Sequence, residues 1–511
     1  MSTLNRAERP TGDAPPPAGG LTRRTVLTAG ALGGLALTGV GGVLLSGRGQ
    51  QPSRTPVLAS SQLVAATEQA RPRTGKAVSV DLRAAPGTVD FAGRTASTWL
   101  YDDRLPGREI RVNTGDLLTV RLRNALPATT SVHWHGLSLR NDMDGVPGMT
   151  QDEIPANTDF TYSYVVPDPG TFWFHPHTGL QLDRGMYAPL IIEDPTEPAI
   201  ADIEHVVVLD DWLDGLGRTP DEAFAELDAG GMGAMAGMDM SGGAGGPLGV
   251  DTGDVVYPLH LINGRPPEDQ AVLEARPGQR VRLRLINSGA DTAYRVAVGG
   301  HRLTVTHADG YAVVPVEVDT LILGMAERYD VVLTALDGAF PLVAIPEGKD
   351  QPAARAVLRT GTAATPPADA LPAELSGRLL SYADLAPAAA VALPPKKPDR
   401  EMRFDLGLMM NSYRWTINGR THDSPEPFDV RMGERVRLTF ANGTGMFHPM
   451  HLHGHTFALT ETGVRKDTVI VLPGRSVSVD VQTDNPGQWM VHCHNAYHLA
   501  GGMATMLSYV T

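Results

Sequence analysis

Four histidine pairs of the form HxH carry the most specific chemistry in the chain: His133-Trp134-His135, His175-Pro176-His177, His451-Leu452-His453 and His492-Cys493-His494. Histidines at i and i+2 of a strand project from one face, so the pairs present eight imidazoles in two like sets. Burying that many imidazoles without ligation would leave ring nitrogens seeking partners. Packing the two sets together would form a nitrogen-rich site suited to Cu, Zn, Fe or Ni. The single cysteine, Cys493, narrows the choice. With His448, His498 and Met503 it offers two imidazoles, a thiolate and a thioether, the donor set of an electron-transfer blue-copper site. Because Cys493 stands between His492 and His494, an electron arriving at its sulfur has a short covalent route to the second site. His205, His260, His301, His307, His422 and His455 occur outside the pairs and read as ordinary core or surface groups.

These residues must be positioned by a repeated element. RVNTGDLLTVRLRN at 111–124, ARPGQRVRLRLIN at 275–287 and VRMGERVRLTFAN at 430–442 are alternating strands, and in each a Gly precedes an Asn by nine residues: Gly115 to Asn124, Gly278 to Asn287, Gly433 to Asn442. Nine residues beyond Asn124 and Asn442 stand His133 and His451, so the histidine pairs ride on the first and third copies. The middle copy carries no such pair and reads as a spacer. Period-two alternation with 56 Gly and 40 Pro implies an all-β fold of three sequential Greek-key β-domains. The expected divisions are a leader and linker over 1–75, a first domain over 76–198, a second over 199–362 with a Gly/Met-rich insertion at 230–246, a connector over 363–400, and a third domain over 401–511.

Composition and address restrict the setting. Against 43 Lys+Arg stand 57 Asp+Glu, a net charge of -14, which gives no electrostatic support for gripping nucleic acid or anionic lipid. Arg23-Arg24 before the apolar run Val26 to Leu45 reads as a twin-arginine signal, implying use of the Tat export machinery and an extracellular, periplasmic or cell-surface destination. The run is either cleaved, for instance after Ala59, or retained as an anchor, since ~20 apolar residues can span a bilayer.

The motifs HWHG, HPH, HPMHLHGH and HCHNAYHLAGGM, in that order, resemble the four copper signatures of the multicopper oxidase family, over the chain from about Lys76 to Thr511. The resemblance implies three cupredoxin-like β-barrel domains and four copper ions: a type 1 copper taking single electrons, and a type 2 and two type 3 coppers reducing dioxygen to water. Carried over by motif, type 1 copper takes His448, Cys493, His498 and Met503, and type 2 takes His133 and His451. One type 3 copper takes His135, His175 and His494, the other His177, His453 and His492. Asp144 resembles a proton-supplying acid near the cluster, with a turn aspartate as the alternative. Asp467 is also family-like and is given a structural role.

The methionine ligand implies easily oxidised substrates: phenols, aromatic amines, or metal ions such as Cu(I) and Fe(II). Met232, Met235, Met238 and Met240 in the insertion are soft thioethers suited to recruiting Cu(I), with a flexible linker as the alternative. A copper-storage protein with incidental turnover and a dedicated cuprous oxidase for copper tolerance stand as alternative functions.

Overall fold

In the computed structural model the described residues are 54–230, 245–410 and 412–511. The twin-arginine leader and Met232, Met235, Met238 and Met240 lie outside them. The described residues are mostly β, in six sheets, and the repeat seen in sequence is a repeat of structure. Each copy supplies one strand, Leu117–Asn124, Arg280–Asn287 or Arg435–Asn442. Each of these pairs in parallel with the strand that opens its domain, Ala77–Phe91, Ile203–Trp212 or Arg400–Leu408. On the other side each pairs antiparallel with Asp159–Val165, Arg328–Thr334 or Ser476–Gln482.

The invariant spacing has a physical cause at both ends. Gly115, Gly278 and Gly433 take φ of +82°, +83° and +85° in the entering turn, where a side chain would be strained. At the exit, the Asn side chain closes the next loop. Asn124 Nδ2 donates to the carbonyls of Ala128 and Ile154, Asn287 Nδ2 to those of Thr292 and Leu323, and Asn442 Nδ2 to those of Met446 and Val471. Each Oδ1 accepts from the backbone N–H two residues on. A buried amide with three such bonds fixes where the following segment starts, and in the first and third copies that segment carries histidines.

A second sheet in the first and third domains holds those histidines. Strand His133–His135 pairs antiparallel with Gly170–His175, placing His133 opposite His175. Strand His448–Leu452 pairs with Gln488–Cys493, placing His451 opposite His492. Alternation sends the intervening Trp134 and Leu452 into hydrophobic cores. The expected connector is docked rather than loose: Val314 N donates to Ala386 O and Leu380 N to Thr320 O.

Candidate metal centre

The blue-copper donor set closes on itself because a short helix turns the chain back. Asn495 caps helix Ala496–Ala500 by accepting from the N–H groups of Tyr497 and His498, so His498 returns beside Cys493. Cys493 N donates to Met503 O and Met503 N to His498 O, which ties the methionine's backbone to both ligands. Cys493 Sγ lies 3.6 Å from His448 Nδ1 and 3.5 Å from His498 Nδ1, and the two nitrogens are 3.0 Å apart. Three donors at such separations suit one ion at ordinary Cu–ligand distances at their centre. His448, Cys493, His498 and Met503 are all buried. The outward nitrogens are held: His448 Nε2 donates to Thr444 Oγ1 at 2.7 Å and His498 Nε2 to Asp254 Oδ2 at 3.0 Å. Both Nδ1 atoms are thereby directed to the centre. Trp415 stacks on His498 with centroids 3.9 Å apart. Burial opposes protonation of His498, but Cys493 and Asp254 outweigh it and lift its pKa to about 10, the mark of an anionic pocket.

About the paired histidines the two domains meet with approximate two-fold symmetry. His133 stacks on His453 at 3.8 Å and His135 on His451 at 3.9 Å, each stack joining first domain to third. The donor atoms of His177, His453 and His492 lie within 4.8 Å of one another. His175 and His494 approach to 3.4 Å through their Nε2 atoms, with the His135 ring 4.9 Å from that of His494. His133 and His451 face each other with centroids 5.9 Å apart. The donor atoms of His133, His451 and His453, and those of His133, His135 and His175, also lie within 4.8 Å of one another, so the eight histidines form one continuous array.

Two aspartates hold this array by the same rule. His133 Nδ1 donates to the backbone carbonyl of Asp144 at 2.9 Å, and His453 Nδ1, from the other domain, to Asp144 Oδ2 at 2.9 Å. His451 Nδ1 donates to the carbonyl of Asp467 at 2.9 Å, and His135 Nε2, from the other domain, to Asp467 Oδ1 at 3.1 Å. The atoms left over are decisive for a metal. His133 Nε2, His135 Nδ1, His177 Nε2 and His451 Nε2 are buried with no hydrogen-bond partner, which protein interiors avoid unless something else binds there. Burial and the neighbouring imidazoles hold His135, His175, His177, His453, His492 and His494 well below the usual histidine range. They stay neutral, the state that ligates. The residues fit copper.

Comparison with known proteins gives the family. Descriptions of the multicopper oxidase family match residues 83–197, 205–363 and 394–510. Multicopper oxidase MmcO of Mycobacterium tuberculosis is 45% identical over 502 residues, spanning 96% of this chain and 97% of that protein. The chain is a multicopper oxidase. Within this family it is also similar to copper resistance protein A of Escherichia coli, 28% identical with 94% of this chain and 98% of that one covered. Laccase-4 of Trametes villosa is 28% identical over 84% of this chain and 89% of its own. The crystal structure of Fet3p, a multicopper oxidase that functions in iron import, shares the fold with a TM-score of 0.74 at 22% identity, covering 85% of this chain and 90% of that one.

As a multicopper oxidase the chain is an oxidoreductase, and its middle domain does more than space the other two. Asp254 reaches His498, and Arg328 donates to both oxygens of Asp467 at 2.7 and 2.6 Å. No sequence signal marked either residue, since each acts on a partner more than 100 positions away. Thr444 was legible in principle, four residues before His448 in the loop closed by Asn442. Of the histidines read as ordinary, His260 bonds Tyr294 and Gln351, and His455 bonds the His453 carbonyl and Tyr509. His422 instead helps line a cavity of ≈ 220 Å³ whose wall includes His175, His177, His492 and His494 together with Val146, Leu182, Met490 and Leu499.

Proposed function

We propose that this multicopper oxidase is an exported enzyme that draws single electrons from Cu(I), and from easily oxidised phenols and aromatic amines, at His448, Cys493, His498 and Met503. Electrons leave through Cys493 to His492 and His494, on to the cluster of His133 and His451 (type 2) and of His135, His175, His494 and His177, His453, His492 (type 3). Four bound copper ions supply the one-electron exchange and the multi-electron store that reducing dioxygen to water requires. The protein's own residues do the rest. The imidazole of His498 is the outer edge of the electron entry. The apolar-walled cavity beside His175, His177, His492 and His494 suits entry of dioxygen. Asp144 Oδ1, buried 3.2 Å from His133 Nδ1 and without a hydrogen-bond partner, suits holding a proton for the reduced oxygen.

The observation that carries the cation preference is the carboxylate pair at that edge. Asp254 accepts from His498 Nε2, while Asp251, close in sequence and mutually repelled by Asp254, keeps a buried oxygen without a partner. A Cu(I) ion or a phenolic proton approaching this edge is attracted by negative charge buried one hydrogen bond from a copper ligand. The segment that leads into the Gly/Met-rich insertion lies near this edge. Asp228 pairs with Arg414 at 3.8 Å, and Tyr413, next to Arg414, donates to Asp254. The names of the copper resistance relatives support a role in copper tolerance, and Arg23-Arg24 supports Tat export of the loaded fold. Oxygen uptake by copper-loaded protein, comparing kcat/KM for Cu(I), corrected for autoxidation, with that for a dimethoxyphenol, tests the reading. Preference for Cu(I) is expected. Preference for the phenol would make the protein a laccase with the insertion a linker.

A further inference from the structure

We propose that Arg328, contributed by the middle domain, is a positioning residue for the copper cluster: its two-pronged grip on Asp467 sets His135 and His451. The inference rests on the ligand sets proposed above. Asp144 and Asp467 occupy equivalent places, each holding one histidine of its own domain by its carbonyl and one of the opposite domain by its carboxylate. They differ in what lies behind. Asp467 has both oxygens filled, Oδ1 by Arg328 Nη1, His135 Nε2 and Thr468 Oγ1, and Oδ2 by Arg328 Nη2. Among the described residues no Arg or Lys pairs with Asp144, whose Oδ1 has no hydrogen-bond partner and lies 3.2 Å from His133 Nδ1.

Arg328 is itself over-determined. It is fully buried, with its Nε donating to the carbonyl of Thr171 in the first domain at 3.1 Å and its backbone N–H to Asp309 Oδ1 at 2.9 Å. Asp309 Oδ2 in turn accepts from the backbone N–H groups of Asp467 and Thr468, both at 3.2 Å. One guanidinium thus touches all three domains and ends two bonds from ligands of two of them. The glycine of HWHG is explained by the same pair. A Cβ on Gly136, at φ +87°, would stand 2.6 Å from Arg328 Nη2 and 2.7 Å from Asp467 Oδ2. The ion pair passes where a side chain would be. Arg282, also buried in the middle domain and bonded to Asp330 at 2.9 Å, touches no ligand and supplies the control for burial of an arginine pair alone.

The test uses copper-loaded full-length variants. R328K keeps the charge but loses the planar fork. Its type 2 copper EPR hyperfine pattern should change, and cluster copper should be released by a chelator ~10–100-fold more readily, the usual cost of losing an outer partner of a metal ligand. The blue absorption of the type 1 centre should persist. R282K should leave the type 2 spectrum unaltered. The double variant R328K/D467N should release copper no faster than D467N, because Arg328 acts through Asp467. Gly136→Ala, which crowds the same pair without removing it, is the second variant should R328K not accumulate, and should reproduce the spectral change. A wild-type spectrum and chelator resistance in R328K or Gly136→Ala, an equal change in R282K, or additivity in the double variant would overturn the inference. His133→Ala separates the two levels: if it spares the type 2 signal, the ligand reading fails, and if it abolishes that signal while R328K changes nothing, only the role of Arg328 fails.

Discussion

Replacing Asp254 by Asn isolates the charge at the edge of the electron entry. The amide keeps the shape and can still accept from His498 Nε2, now 3.0 Å from Asp254 Oδ2, so the ring need not move. What disappears is a buried negative charge. With the hydrogen bond, the width of an imidazole and a metal–nitrogen bond of ~2 Å, the carboxylate stands roughly 7 Å from an ion held at Nδ1. At an effective dielectric of ~20 the interaction is about 2 kcal/mol. For a one-electron couple that corresponds to on the order of 0.1 V. Removing the charge destabilises the oxidised, more positive ion, so the type 1 potential rises by about that amount, as read by redox titration of the blue absorption. Turnover separates two effects of the same change: higher driving force for every substrate, and weaker attraction for cations. The Cu(I) KM should therefore rise while the dimethoxyphenol KM changes less. A potential that stays put or falls would refute the electrostatic reasoning, and equal KM changes would refute the cation preference.

Three further outcomes follow from the same geometry. Cys493→Ser should abolish the blue colour and substrate oxidation while the paired histidines still load copper, and retained blue absorption would disprove the type 1 assignment. Deleting 230–246 should impair Cu(I) oxidation more than phenol oxidation; equal loss, or none, favours a linker. Burial and the charge of Asp254 raise the pKa of Asp251 to about 6. Its charge therefore appears as pH rises through about 6, and kcat/KM for Cu(I) should climb there relative to that for the phenol, a step absent in Asp251→Asn. Because the folded value exceeds the ~3.9 of an unfolded aspartate, Asp251 costs stability as pH rises from about 4 to about 6. Thermal melts of wild type and Asp251→Asn should diverge over that window.

How much of this was legible in sequence depended on whether the cause was local. The strands ending at Asn124, Asn287 and Asn442 could be read because turn, strand and loop closure all lie within one copy. The histidine pairs could be read because alternation along a strand fixes their common face. Asp467 was noticed, but its hold on His135 was not, since the partner is 332 positions away. The charge on Asp254 gave no sign of its target, because no periodicity connects the loop before the strand Leu259–Ile262 to a helix at the end of the third domain. Reading the middle copy as a spacer followed correctly from its lack of paired histidines and still missed that a domain without ligands can hold ligands in place.

That difference between bearing ligands and holding them bears on why a third β-domain is retained between two that carry the histidines. Two like domains meeting about a two-fold axis would give both aspartates the same surroundings, and the array would be symmetric. Asp254 and Arg328 remove the equivalence at two points. One places a carboxylate against His498 of the third domain, and the other fills Asp467 with a fixed cation, whereas Asp144 meets only histidines among the described residues. A buried charge pair costs desolvation that its attraction only partly offsets. Arg328 therefore adds less to stability than its short bonds suggest, and its contribution is the asymmetry itself: one aspartate tied as a brace by a guanidinium, its counterpart held by histidines alone.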